Sequence, residues 1–334
     1  MADLPPYKTS PDLHPVSELF AGEVAPLPAE LKPGQPPITP AEGAWAALIV
    51  LGMQNLISAL ATRVFHLPLG VSLLLAFLST VIVFGLTMRR TALALFQDSR
   101  WRTRPNWGVM FGAFGLGFVA SRAFLLFVLS LWPQGAQTVP EFASKGYDVW
   151  VLLLVAGFLI PVAEEIAFRG LLLRGLEWVR GPVFAAVVSS LLFGFAHGAP
   201  AQVIAILPLA WLLARSVQYS GSLWTSVGVH ILNNALAVGL GALLQGRDMN
   251  ALTGDLASTT IPLSLGLAAL LIGVAALVVG TLWLTPRTSP APALRFPSWP
   301  VWTVSTLVLV VLVVAVVVLA TVPIFFPQLN PKGL

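Results

Sequence analysis

Apolar stretches of about 20 residues, the length that a helix needs to cross a bilayer, recur from residue 43 almost to the end of the chain. At membrane depth every backbone N–H and C=O group must be paired within its own segment, and helices achieve this. We therefore predict an all-α fold, a polytopic membrane bundle of eight or nine transmembrane helices. The apolar runs are 43–61, 67–88, 107–132, 150–169, 182–198, 201–217, 222–244, 259–284 and 302–322.

The composition agrees with a membrane protein. Hydrophobic residues make up 57% of the chain and charged residues 10%, and the mean hydropathy is +0.87, which excludes an ordinary soluble domain. The net charge of +4 comes from arginines between the apolar runs, so we expect no nucleic-acid partner. Cysteine is absent, which excludes disulfides and thiolate metal sites.

Composition also divides the chain into four regions. Residues 1–42 are rich in proline and acidic groups, and we predict a disordered cytoplasmic tail with no evident cleavable signal peptide. We expect N-terminal transmembrane helices in 43–132, a central group of helices in 148–245 and C-terminal transmembrane helices in 259–327. Arginines crowd the predicted loop at 89–104, so by the positive-inside rule this loop, and by counting also the N-terminus, is cytoplasmic.

Ionisable and amide side chains inside the apolar runs are few. An ionisable group at membrane depth costs roughly 2.5–3.5 kcal/mol on insertion scales, so each is a candidate functional residue. We expect Arg122 to reach the membrane surface or to neutralise a carboxylate rather than to take part in chemistry. The other candidates are Glu164, Glu165, Arg169, His197, His230 and Asn234.

Helical spacing separates the two adjacent glutamates. Glu165 and Arg169 stand four apart, which predicts an ion pair on one helix face, whereas Glu164 is rotated by about 100° and faces another surface. Glu164 and His197 each lie sixteen residues from an Arg-Gly-Pro turn at 180–182, about 24 Å along a helix. An antiparallel helix pair would bring them to one level, provided that the helix of Glu164 continues to the turn.

A carboxylate, two imidazoles and an amide from three helices suit hydrolysis of an amide bond. Glu164 can act as general base on a water molecule, and His197 can help to bind that water, directly or through a metal ion. His230 and Asn234, four apart on one helix face, can donate hydrogen bonds to the oxyanion that develops on the attacked carbonyl.

Two other hypotheses stay open. The polar groups can be satisfied contacts between helices, as His and Asn often are in membrane bundles, or steps of an ion or proton pathway. Two adjacent glutamates are a costly way to join helices, and clustering at one level disfavours a pathway. No serine or cysteine stands out as a nucleophile.

Three short motifs follow one another in this part of the chain. They are Glu164-Glu165-x-x-x-Arg169, Phe193-x-x-x-His197 and His230-x-x-x-Asn234. Together they resemble the signature of the CAAX protease and bacteriocin-processing family, also called the Abi or type II CAAX prenyl endopeptidase family. The resemblance covers about residues 150–244.

The resemblance implies an intramembrane metalloendopeptidase with its catalytic core in 148–245. Glu164 and His197 would activate water, and His230 with Asn234 would support the oxyanion. The remaining motif residues would have a structural role and keep these groups in position: Glu165, Arg169 and Phe193. A divalent metal such as zinc is a further expectation, held by Glu164, His197 and His230, although the spacing is not the H-E-x-x-H pattern of zinc proteases.

The implied partners are the lipid bilayer and a membrane-associated protein or peptide substrate. Some relatives process prenylated proteins, and others take part in peptide maturation or self-immunity. The implied location is the plasma membrane of a bacterium. Two alternatives remain for the whole chain: a non-catalytic membrane binding or immunity protein of the same fold, and a small transporter.

Overall fold

The computed structural model describes residues 36–138, 146–244, 261–285, 296 and 298–325. Within these ranges all regular secondary structure is helical and no strand occurs, so the all-α prediction is confirmed. Residues 1–35 of the predicted tail lie outside the described part of the chain, as do 245–260 and 286–295.

The described helices are numbered here in chain order. They are α1 (Pro40–Arg63), α2 (Leu69–Thr87), α3 (Arg89–Gln97), α4 (Ser99–Arg102), α5 (Trp107–Leu131), α6 (Asp148–Arg180), α7 (Pro182–Phe195), α8 (Pro200–Ser220), α9 (Leu223–Leu244), α10 (Leu263–Trp283) and α11 (Val304–Phe325). Within the described residues, eight of them are long and apolar enough to cross a membrane, namely α1, α2, α5, α6, α8, α9, α10 and α11. The chain is therefore an integral membrane protein, and the predicted number of spans is confirmed, with the short α7 as the ambiguous ninth.

Polar caps fix where two of the spans begin. The N–H of Glu42 donates to Thr39 Oγ1 at 3.2 Å, and the N–H of Thr39 donates to the Glu42 carboxylate at 2.8 Å. This capping box starts α1 at Pro40, slightly before the apolar run at 43. Asn106 caps α5 by accepting from the N–H of Val109 at 3.1 Å.

The helix of Glu164 continues to Arg180, which is the condition for Glu164 and His197 to lie at one level. It ends because Gly181 has a φ of 84°, in the left-handed region that glycine adopts freely. Pro182 then begins α7, since a missing N–H costs nothing in a first helical turn. The predicted antiparallel pair is thus formed by α6 and α7.

The second helix of this pair is shorter than its apolar run. α7 ends at Phe195 instead of reaching residue 198, because Gly198 has a φ of 73° and turns the chain toward α8. His197 therefore lies just beyond the helix end, where its N–H donates to the carbonyl of Gly194 at 3.2 Å.

The basic segment predicted as a loop is helical, which corrects that prediction. It consists of α3 and α4, joined at Asp98, and α3 buries Thr91, Ala94 and Leu95 on one face. Asp98 caps α4 by accepting from the N–H of Arg100 at 2.9 Å and also accepts from Arg174 Nε at 2.9 Å. The alternation of basic and apolar residues therefore produces an amphipathic helix held against the end of α6.

Two π-helical segments interrupt α6, at Val155–Leu159 and at Ile166–Leu173. A π turn closes hydrogen bonds from i to i+5 and is frequent at functional sites. Between the two segments lies the short α-helical stretch Ile160–Glu165, which carries both glutamates. The second segment carries Arg169 and three leucines that are at most 1% exposed, so this part of α6 forms the centre of the bundle.

Candidate active site

The predicted ion pair between Glu165 and Arg169 is present. Arg169 Nη1 lies 2.9 Å from Glu165 Oε1, and both side chains are fully buried. Arg169 Nη2 donates to the carbonyl oxygen of Ala210 in α8 at 3.1 Å, and the guanidinium stands 4.3 Å from the ring centroid of Phe193 in α7. A buried charge needs such additional partners to offset its desolvation. Arg169 therefore joins α6 to both α7 and α8.

His230 lies between the two glutamates. Its Nδ1 is 3.1 Å from Glu165 Oε1, and its Nε2 is 3.7 Å from Glu164 Oε2. The first contact is a hydrogen bond that fixes the ring, with Nδ1–H donating to Glu165. The second is longer than a direct hydrogen bond, and a water molecule beside the two atoms can contact both. All three side chains are buried, with His230 4% and Glu164 8% exposed.

The sequence indicated Glu164, Glu165 and His230 as site residues but not how they pair. The spacing predicted that Glu165 pairs with Arg169, and it does, but the same carboxylate oxygen, Oε1, also binds His230. Ser226, one turn before His230 on α9, is a further neighbour of the Glu165 carboxylate. The Glu165 carboxylate thus binds residues of both α6 and α9. Residue spacing within one helix could not reveal the contact with α9.

Phe193 holds the two histidines in a common cluster. Its ring meets His197 edge-on at a centroid distance of 5.0 Å and His230 at 5.6 Å, and it packs on Phe168 at 5.1 Å. His197 also places Nδ1 2.9 Å from the Phe193 carbonyl oxygen. With Nδ1–H donating there, Nε2 of His197 is the nitrogen left for a ligand or a water molecule.

Asn234 binds the backbone of the first π segment. Its Nδ2 donates to the carbonyl oxygen of Ala156 at 3.3 Å. In that segment the N–H of Ile160 donates to the carbonyl of Val155, the i to i+5 pattern. The corresponding donor for Ala156 would be residue 161, which is a proline and has no N–H. Asn234 therefore satisfies a carbonyl that Pro161 deprives of its helical partner.

Asn233 is a site residue that the sequence reasoning missed. It is 8% exposed, its Nδ2 donates to Asn234 Oδ1 at 3.1 Å, and its own Oδ1 has no hydrogen-bond partner among the described residues. The available indication was its position three residues after His230, on the same side of α9. Asn233 thus orients the carboxamide of Asn234.

The expected zinc ligands do not form a metal site in this geometry. Among the described residues, no three His, Asp or Glu side chains are grouped so that they could hold a metal ion. Both ring nitrogens of His230 face carboxylates, and Nδ1 of His197 faces a carbonyl. This arrangement gives no support to a three-ligand zinc site, and zinc on Glu164, His197 and His230 stays a prediction.

Arg122 lies apart from this cluster. It is exposed on α5, and its guanidinium stands 5.4 Å from the ring centroid of Phe118. Among the described residues it forms no ion pair with a carboxylate. The expectation that Arg122 neutralises a carboxylate is therefore not met in this part of the chain.

Comparisons with known proteins concern the same region. Residues 146–236 match the family model described as Type II CAAX prenyl endopeptidase Rce1-like. The putative membrane peptidase YdiL of Bacillus subtilis (strain 168) is 21% identical over 131 residues, which are 39% of this chain and 52% of that protein. The chain thus spans about half the length of this curated relative. No solved structure matches. The matched segment contains all three motifs, so the resemblance to the type II CAAX prenyl endopeptidase family is confirmed for residues 146–236.

Proposed function

We propose that the chain is a membrane endopeptidase that hydrolyses a peptide bond of a membrane-associated protein or peptide. One observation carries the proposal: in a buried centre, His230 stands 3.1 Å from Glu165 and 3.7 Å from Glu164. A positioned imidazole and a second carboxylate that can both contact one water molecule form an arrangement that can activate it. The family match over 146–236 supports the same class of reaction.

The two glutamates have different tasks in this proposal. Glu165 is held by Arg169 and in turn holds His230 through Nδ1, so it positions the imidazole and does not touch the substrate. Glu164 has no arginine of its own within the cluster and faces Nε2 of His230. The proposal takes His230 as an imidazolium, so that Nδ1–H donates to Glu165 and Nε2–H is available to the substrate.

Hydrolysis then proceeds in two steps. Glu164 accepts a proton from the water molecule while the water oxygen attacks the carbonyl carbon of the peptide bond. His230 Nε2–H donates to the oxyanion that forms, and this stabilises the transition state. The C–N bond breaks as Glu164 returns the proton to the leaving nitrogen, which yields one carboxylic acid and one amine.

His197 and Asn234 keep the roles expected from the sequence. His197 Nε2 would bind the water from the side of α7, since Nδ1 is engaged by the Phe193 carbonyl. Asn234 uses one N–H on Ala156, and its second N–H would donate to the oxyanion. A zinc ion on Glu164, His197 and His230 is a separate proposal, and no step above passes through one.

The proposed setting follows the same reasoning. The family resemblance suggests the plasma membrane of a bacterium as the location, and the arginines concentrated in α3 and α4 favour a cytoplasmic N-terminus. Its partners would be the surrounding lipid and a substrate that reaches Glu164 from within or along the membrane.

The test uses the purified full chain in phosphatidylcholine nanodiscs with a panel of peptides, some lipidated and some carrying an apolar segment. Mass spectrometry detects both fragments of each cleaved peptide. Glu164→Gln keeps the shape of the side chain but removes the base, and we expect turnover to fall by about 10²–10⁴-fold. Glu42→Gln is the matched control, since it removes a carboxylate that belongs to the cap of α1 and not to the cluster, and we expect it to retain turnover.

The outcomes separate the alternatives. Unchanged cleavage by Glu164→Gln contradicts the proposal. Peptide binding without cleavage in the wild type supports the non-catalytic binding or immunity protein. Ion flux into liposomes that disappears in Glu164→Gln supports the transporter.

A further inference from the structure

An open cleft with basic and aromatic walls lies beside the candidate site. It has a volume of about 530 Å³ and is formed where the segment that follows α4 passes the beginnings of α5 and α9. Its outer rim carries Arg102 and Arg104, and its deeper wall is apolar. The rings of Trp101, Trp107 and Trp224 also line it. Tryptophan and arginine at the ends of spanning helices are typical of the level of lipid headgroups.

The cleft is held in shape by hydrogen bonds between its two sides. Trp224 Nε1 donates to the carbonyl of Trp101 at 2.8 Å, and Ser222 Oγ donates to the carbonyl of Thr103 at 2.8 Å. The N–H of Asn106 donates to Thr225 Oγ1 at 3.0 Å. These bonds fasten the segment 101–106 to the first turn of α9. The rim arginines are therefore carried on a fixed segment.

The rim has positive charge that its neighbours do not neutralise. The nearby carboxylates are already engaged: Asp98 binds Arg174, and Glu177 binds Arg100 and Arg174. Arg102 donates Nε to the carbonyl of Phe96 at 3.0 Å. Neither Arg102 nor Arg104 has a carboxylate partner within the described ranges, and both are exposed. The rim is thus complementary to an anionic group.

The inner wall indicates what is attached to that group. Met110 of α5, Val162 of α6, and Val227 and Ile231 of α9 form an apolar surface below the arginines. A ligand with an anionic head at the rim and a hydrocarbon chain on this wall satisfies both halves of the cleft. Phospholipids have this architecture and surround the bundle, and basic pockets between transmembrane helices bind anionic headgroups.

We propose that the cleft is a binding site for an anionic phospholipid, with the headgroup phosphate between Arg102 and Arg104 and an acyl chain along the apolar wall. Val162 is two residues from Glu164, and Ile231 adjoins His230. The cleft is therefore formed in part by the two helices that carry the candidate catalytic residues, but Glu164 and His230 do not line it. Lipid binding does not depend on whether the chain is a peptidase.

The test measures lipid retention by the full chain. The protein is purified from nanodiscs of phosphatidylcholine with or without phosphatidylglycerol, and native mass spectrometry counts the retained lipid. Each basic residue near a membrane surface contributes about fivefold to the affinity for an anionic lipid. The double variant Arg102→Gln/Arg104→Gln should therefore lower phosphatidylglycerol affinity by about 25-fold, and phosphatidylcholine retention should not change.

Arg89→Gln is the matched control, because Arg89 is exposed on the same basic segment but does not line the cleft. It should retain phosphatidylglycerol as the wild type does, and so should the catalytic variant Glu164→Gln. Equal retention by the double variant overturns the proposal. An equal loss in Arg89→Gln also overturns it, since the attraction would then be diffuse. Displacement of the lipid by a peptide with a free C-terminal carboxylate, but not by its amide, would assign the cleft to substrate instead.

Discussion

Asn234 binds a backbone carbonyl of α6 and also has a proposed catalytic role. The substitution Pro161→Ala allows the structural and the catalytic effects of losing Asn234 to be measured apart. Its carboxamide donates to the carbonyl of Ala156, which lacks a helical donor because residue 161 is proline. Pro161→Ala restores an N–H at that position. In either the π or the α register of α6, the Ala156 carbonyl then has a backbone donor.

The magnitudes differ enough to be distinguished. Asn234→Ala leaves the Ala156 carbonyl unsatisfied, which costs about 1–3 kcal/mol of unfolding free energy. In the Pro161→Ala background, most of that loss should disappear. Loss of an oxyanion donor instead lowers kcat by about 10²–10³-fold. This loss should be the same in both backgrounds, because the backbone of α6 cannot replace a donor to the substrate.

The assay compares four proteins: the wild type, Asn234→Ala, Pro161→Ala and the double variant. Unfolding by SDS in mixed micelles gives the stability of each, and single-turnover cleavage of the best peptide gives the chemical rate. Pro161→Ala alone is the reference for the double variant, so any displacement of Glu164 that it causes cancels. The expected result is non-additive stability with an additive loss of rate.

Two results would refute this reasoning. Additive stability losses would mean that Asn234 does not satisfy the Ala156 carbonyl. Recovery of the rate in the double variant would mean that Asn234 acts on catalysis only through the shape of α6, and not on the oxyanion.

Three further substitutions test the buried cluster. Arg169→Met removes the arginine of the buried ion pair and leaves Glu165 with His230 alone, so the unfolding free energy should fall by about 3–5 kcal/mol in SDS titration, and less when Glu165→Gln is also present. Glu165→Gln alone removes the charged acceptor of His230 Nδ1, so kcat should fall although Glu164 is intact, as measured by single-turnover cleavage. Phe193→Leu removes the ring that packs on both histidines, so we expect about 1–3 kcal/mol of destabilisation together with a lower kcat.

Each of these has an outcome that contradicts it. For Arg169→Met, an effect that is simply additive with Glu165→Gln would show that the two side chains are not coupled. For Glu165→Gln, an unchanged kcat would mean that His230 needs no positioning. For Phe193→Leu, loss of stability with an unchanged rate would reduce Phe193 to a packing residue.

Local patterns were enough to predict what local patterns control. The spans follow from hydropathy, and the pair of Glu165 with Arg169 follows from a spacing of four on one helix. The end of α6 follows from the sequence Arg-Gly-Pro at 180–182. In each case the residues that determine the feature lie within a few positions of it, so the feature can be predicted from the sequence alone.

Contacts between helices were not predictable in the same way. That Glu165 also binds His230 depends on how α9 packs on α6, and 65 positions separate the two residues. The π turn at Val155–Leu159 leaves the apolar pattern unchanged, so hydropathy does not reveal it, although Pro161 in the middle of a span was an indication. The level of His197 depends on where α7 stops, which Gly198 determines through its φ of 73°.

The third motif acts at two places on α6, and both depend on the irregular backbone of that helix. Asn234 satisfies the carbonyl that the first π turn and Pro161 leave open, and His230 binds the carboxylate that directly precedes the second π turn. A Cβ added at Gly157, within the first π turn, would lie 3.3 Å from the backbone of Ala235, so α9 packs closely on α6 here. In a regular α-helix the N–H of Ile160 would donate to the Ala156 carbonyl and leave Asn234 no acceptor there. The spacing of four between His230 and Asn234 therefore fits the two π turns of α6, and these turns are part of the site itself.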